Sequence, residues 1–152
     1  MIPRCALPNW RGYTLVELVT VIVIAVILAA LAIPLFNQSQ IDASWFREEA
    51  KAAIRYAQRQ AVAQRRCVFV TVSPSQLALH YGDASCAITG TPLTRITTGA
   101  AYAVDAPSGV TASATTSPFS FNALGQPGPI GGVTVTVGGG AIVVAGETGY
   151  VQ

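Results

Sequence analysis

Few side chains in this chain have a type and spacing that suit chemistry. There is one histidine, His80, and it lies near Asp83 and Ser85. A catalytic triad is defined by geometry and not by closeness in sequence, so this grouping alone does not make a hydrolase. His80 also falls in an alternating, strand-like stretch, opposite Leu77, Leu79 and Tyr81, where a solvent-facing position is expected. No second histidine and no spaced set of carboxylates accompanies it, so no metal centre and no cofactor are expected. The glycine-rich runs lack a following Gly-Lys-Ser/Thr and do not open a helix, which excludes a phosphate loop. The chain is read as not an enzyme, with no small-molecule substrate.

Three other groups remain. Cys67 and Cys86 form an even pair once Cys5 is set aside, and an oxidising compartment would join them. The alternative is one buried thiol and one exposed in a loop. Arg47, Lys51, Arg55 and Arg59 recur every fourth residue, a spacing able to meet phosphates. Such a stripe is also an ordinary solvated helix face, and Glu48 and Glu49 stand beside it. Glu17 is the last charge before a run that stays uncharged until Asp42. Carried towards a bilayer centre, a charged side chain costs roughly 2.5–3.5 kcal/mol.

These residues need elements to hold them. Residues 18–36 read LVTVIVIAVILAALAIPLF, apolar on every side and of the length expected to cross a hydrocarbon core of roughly 30 Å. Pro34 should bend that helix without necessarily ending it. Over residues 41–66 the pattern becomes amphipathic, with Phe46, Ala50, Ala53, Ile54, Ala57 and Ala61 on one stripe among good helix formers. Together these halves predict one helix of about fifty residues. After Cys67 the period becomes two. Strands are expected at 67–73, 76–81, 93–97, 101–105, 119–121, 133–137 and 141–145, with hairpin turns at Pro74-Ser75 and Gly138-Gly139-Gly140.

Charge is divided along the chain. Six basic residues between Arg47 and Arg66 face only Glu48 and Glu49, whereas Arg95 stands against Asp83, Asp105 and Glu147 beyond Cys67. A basic helix is thus followed by a mildly acidic domain. The N-terminus admits a plain membrane anchor or a secretory signal peptide, with Arg4 and Arg11 as its basic region and Ala30-Leu31-Ala32 as its cleavage site. The long apolar run and Glu17 both weigh against the signal peptide.

Arg11-Gly12-Tyr13-Thr14-Leu15-Val16-Glu17-Leu18 resembles the N-terminal motif of the type IV pilin and type II secretion pseudopilin superfamily. Tyr13 stands where that family usually has Phe. The resemblance implies that a prepilin peptidase cuts between Gly12 and Tyr13 and N-methylates Tyr13, and that Glu17 pairs with the amino terminus of a neighbouring subunit. Residues 1–12 would be a leader, 13–41 a transmembrane and assembly helix, and 42–152 a periplasmic domain (amphipathic helix 42–66, β domain 67–152).

Phe121-Asn122-Ala123-Leu124-Gly125-Gln126-Pro127 and the terminal Gly146-Glu147-Thr148-Gly149-Tyr150-Val151 resemble the GspH/FimT group of minor pilins and pseudopilins. The fold implied is α+β and pilin-like: a long N-terminal helix, half transmembrane and half amphipathic, packed on an antiparallel β-sandwich-like domain. The implied function is structural, in a type II secretion pseudopilus or a type IV or haemagglutinin-type pilus. The implied place is single-pass in a bacterial inner membrane, with extraction into a filament. Partners would be prepilin peptidase, other subunits and the inner membrane. A DNA-uptake role through Arg47, Lys51, Arg55 and Arg59 is the alternative.

Overall fold

A computed structural model describes residues 12–32 and 38–152, without the side chains of residues 30–32. The chain divides into two compact units at Asn37 and Gln38. The first contains helix α1, Leu15–Ala32. Thr14 caps it, its Oγ1 accepting the Glu17 N–H at 3.2 Å, and the Leu18 N–H bonds the Thr14 carbonyl at 3.1 Å. Side chains from Leu15 to Ala29 are exposed on every face.

The expected membrane-spanning half needs correction. Among the described residues no helix is long and apolar enough to cross a membrane. The 18 residues of α1 rise only about 27 Å, against a hydrocarbon core of about 30 Å. Glu17 in its first turn shortens its apolar part further. The single-pass inner-membrane location inferred from residues 18–36 is withdrawn with it. Pro34, the expected kink, and the proposed join of the two helix halves lie outside the described residues.

The second unit begins with α2, Gln38–Gln64. The helix buries Ala43, Phe46, Ala50, Ala53, Ile54, Ala57 and Ala61, which include the whole stripe expected from the spacing. It ends in a Schellman turn: the Arg66 N–H bonds Ala61 O at 3.2 Å and the Arg65 N–H bonds Val62 O at 3.4 Å. Arg65 takes the left-handed conformation (φ 50°) that this turn usually gives to glycine.

Nine strands follow: β1 (Val68–Ser73), β2 (Gln76–Gly82), β3 (Ile88–Pro92), β4 (Ala103–Asp105), β5 (Ala112–Ala114), β6 (Phe119–Phe121), β7 (Pro127–Gly128), β8 (Val133–Val137) and β9 (Gly140–Val144). They form a six-stranded sheet, β3-β2-β1-β6-β7 with β4 also on β2, and a three-stranded sheet, β5-β8-β9. All pairings within these sheets are antiparallel. The alternation in β1 puts Val68, Val70 and Val72 into the core, and that in β8 does the same with Val133, Val135 and Val137. α2 packs on β1, β2, β4 and β6 of one sheet and on β8 and β9 of the other. Its alanines let both sheets come close, and Phe119, Phe121, Ile54, Leu77 and Leu79 fill the shared core.

The expected strand at 93–97 is not formed. There, Thr94 makes only an isolated bridge to Ala101. The strand is β3 just before it, which pairs with β2 across a register shift between His80 and Gly82.

Candidate functional site

At the N-terminal end, Gly12 has open space around its Cα and Tyr13 is 81% exposed. Tyr13, Glu17, Leu18, Val21 and Ile22 line one shallow groove on a single face of α1. Glu17 sits in the first helical turn, where the N-terminal dipole favours a negative charge. Tyr13, just before the helix, and Glu17, in its first turn, therefore border the same groove. Residues 1–11, most of the expected leader, lie outside the described residues.

The four basic residues of α2 have different surroundings. Arg55 reaches across to donate to the Val151 carbonyl at 2.9 Å, tying the chain's last bridge to the helix. Arg47 lies against the β8–β9 turn beside Gln40, Gly138, Gly139 and Gly140. Lys51 is half-buried and Arg59 exposed. Beside them, Arg95 lies 4.0 Å from Glu49, donates to Ala103 O and covers the Tyr102 ring, which stacks on Tyr56 at 5.0 Å. Burial of Tyr102 pushes its hydroxyl pKa up, partly offset by the Arg95 charge.

The two C-terminal motifs meet at α2. Asn122 Oδ1 accepts the Leu124 and Gln126 N–H groups, both at 2.9 Å, building a tight turn in which Gly125 has φ 80°. Gly149 has φ 68° and abuts the Gly125 carbonyl so closely that a Cβ would collide with it. Gln58 Nε2 donates to Gly125 O and to Thr148 O. Sequence reasoning missed Gln58, because a glutamine on a polar helix face carries no signal of what it bonds.

At the other end of β2, Cys67 and Cys86 are joined by a disulfide with their Cα atoms 5.3 Å apart. Asp83 shapes the loop beside it. Its Oδ1 accepts the Ala87 N–H, the Ser85 hydroxyl and the Ser85 N–H. Those bonds, that from Ala87 first, hold its carboxyl below the ordinary range. Arg66 donates to Gly82 O at 2.8 Å and lies over the Tyr81 ring. A cleft of about 600 Å³ opens between this loop and the Asn122 turn.

His80, Asp83 and Ser85 do not converge. Asp83 and Ser85 bond each other within the loop, while His80 is half-buried on β2 with its Nδ1 unpaired. Among the described residues no His, Cys, Asp and Glu side chains gather into a group able to hold a metal ion.

Known structures share this architecture. The type IV minor pilin FimU of Pseudomonas aeruginosa superposes with a TM-score of 0.55 at 21% identity, over 76% of this chain and 87% of that one. The minor pseudopilin EpsH from the type 2 secretion system of Vibrio cholerae superposes at 0.51 with 9% identity, over 76% of this chain and 95% of that one. At these identities the likeness is one of fold. No curated protein matches the sequence. Residues 48–149 match the family described as type II transport protein GspH. Members of that family are structural subunits without catalytic activity, and they act together with other pilin-type subunits of the secretion machinery. Because the match takes in most of α2 and every strand from β1 to β9, the chain belongs to the GspH family of type II transport proteins.

Proposed function

We propose that the chain is a minor pilin or pseudopilin that enters a type II secretion pseudopilus or type IV pilus-like filament. On this reading prepilin peptidase cleaves between Gly12 and Tyr13 and methylates the new Tyr13 amino group. The observation that carries it is α1, apolar and exposed all round, with its single carboxylate, Glu17, one turn from Tyr13. Uncovered apolar surface of this extent marks an interaction surface, at about 25 cal/mol per Å² of area to be buried. Packing of α1 among the corresponding helices of neighbouring subunits would cover it. A carboxylate taken into such a bundle needs a cation. The Tyr13 amino group of an adjacent subunit, still cationic when monomethylated, supplies one. The Cys67–Cys86 disulfide suits a domain that works in an oxidising compartment.

The test is intact mass and N-terminal sequencing of the protein from its source cells. The expected product begins at a methylated Tyr13. A product beginning at Ile33 would mean a secreted domain and end the filament reading. Glu17→Ala should then remove the subunit from filaments, and unchanged incorporation would take Glu17 out of the mechanism.

A further inference from the structure

Three consecutive glycines span the turn between β8 and β9 and the first residue of β9, and they are glycine for two different reasons. Gly138 and Gly139 have φ of 52° and 82°, the left-handed pair that a two-residue hairpin turn of type I′ demands. Gly140 does not. It pairs with Val137 as ordinary strand, and its φ lies outside the left-handed region. What excludes a side chain at Gly140 is Arg47, whose guanidinium occupies the place a Cβ would fill.

Arg47 is thus fitted to the turn at close quarters, yet no acceptor among the described residues meets its guanidinium. Arg55, two helical turns on, does bond a carbonyl, that of Val151. Arg47, Gln40 and the glycine backbone line a mostly polar cleft of about 300 Å³. A guanidinium with its fork of donors free, held beside a backbone without side chains, suits a planar two-oxygen acceptor.

We propose that Arg47, seated on the Gly138-Gly139-Gly140 turn, is a receptor for a carboxylate presented by an adjoining pilin-type subunit. The charge division favours a carboxylate. Beyond Cys67 this chain carries Asp83, Asp105 and Glu147 against Arg95, so a neighbour of the same build offers an acidic domain surface to this chain's basic helix. A contact between unlike surfaces of successive subunits also repeats along a helical filament. Only the identity of the partner rests on the filament reading; the oxyanion site does not.

The site is tested on the ¹⁵N-labelled full chain in detergent micelles, titrated with sodium acetate at constant ionic strength. The Arg47 Nε–H and Gly139 N–H resonances should shift together and saturate. R47Q and Gly140→Ala should each raise the midpoint read at Gly139 at least tenfold, with the remaining spectrum preserved. A linear drift equal to that of exposed Arg59, or saturation by inorganic phosphate but not by acetate, overturns the proposal. In source cells R47E should reduce filament incorporation at least tenfold while R59E leaves it unchanged; equal incorporation of the two also overturns it. Mass at Tyr13 reports processing separately, so failure of this contact and failure of the filament reading are distinguishable.

Discussion

Gln58 donates its side-chain amide to the carbonyl of Gly125 at 3.0 Å, and the same nitrogen reaches Thr148 O at 3.1 Å. One residue in the last third of α2 therefore fastens both the turn after β6 and the terminal turn that Val151 bridges back to β9. Each bond contributes roughly 0.5–1.5 kcal/mol net. Gln58→Ala should lower stability by about 1–2 kcal/mol, read as a lower urea midpoint at unchanged slope. Gln58→Glu should cost more, since it turns an acceptor towards two carbonyl oxygens. Equal stability of the two variants would show that the amide donor is not what matters.

Arg65 pays for the Schellman turn at the end of α2 with a left-handed conformation (φ 50°). For a residue with a Cβ that conformation costs roughly 1–2 kcal/mol, and glycine escapes it at some loss of unfolded-state entropy. Arg65→Gly should raise stability by about 0.5–1 kcal/mol, whereas Arg65→Ala should give no gain. A matching gain from alanine would point to the arginine charge and not to the backbone.

The parts of the fold legible in the sequence are those where one periodicity acts alone. The Phe46-to-Ala61 stripe is buried as its spacing requires, and β1, β2, β8 and β9 alternate cleanly. β3 was invisible because all five of its residues are exposed and it contains Gly90 and Pro92. β5 is Ala-Ser-Ala and β7 is Pro-Gly, so the pairing of each comes from its neighbours and not from its own composition. The apolar run after Glu17 read as a membrane span because composition does not state where a helix stops, and α1 as described is too short. At the N-terminal groove, Tyr13 and Glu17 are the residues the motif singles out, and their roles are those proposed above. The tie through Gln58 and the fit of Arg47 to Gly140 arise only when distant segments meet.

Asp83 gives the domain a specific acid sensitivity. Bonds from Ala87 and Ser85 lower its pKa from the ordinary 3.8, so the folded state holds the ionised form more firmly than the unfolded chain does. The stabilisation is complete above that ordinary value and is lost as pH falls through the lower folded value. Urea midpoints should fall between pH 5 and pH 2, and Asp83→Asn should make that fall shallower. A parallel pH profile for the variant would assign the acid loss to other carboxylates.

The disulfide closes the segment between the start of β1 and the Asp83 loop, with a sequence separation of 19 residues between Cys67 and Cys86. A loop of that length contributes about 3 kcal/mol in the chain-entropy account. Local contacts on both sides repeat the constraint. The Gly82 N–H bonds Cys67 O at 2.8 Å, the Asp83 N–H bonds Ala87 O at 2.9 Å, and Arg66 holds Gly82 O. Paired replacement, Cys67→Ala with Cys86→Ala, should therefore lower stability by about 3 kcal/mol while leaving β1 and β2 paired. Amide exchange would separate the consequences: Ser85 to Ala87 should lose protection, and Val70 and Leu79 should keep theirs relative to global unfolding. If Val70 and Leu79 opened with the loop, the bridge would be holding the sheet itself. If stability did not fall at all, the bonds around Asp83 and Arg66 would suffice to close the loop without it.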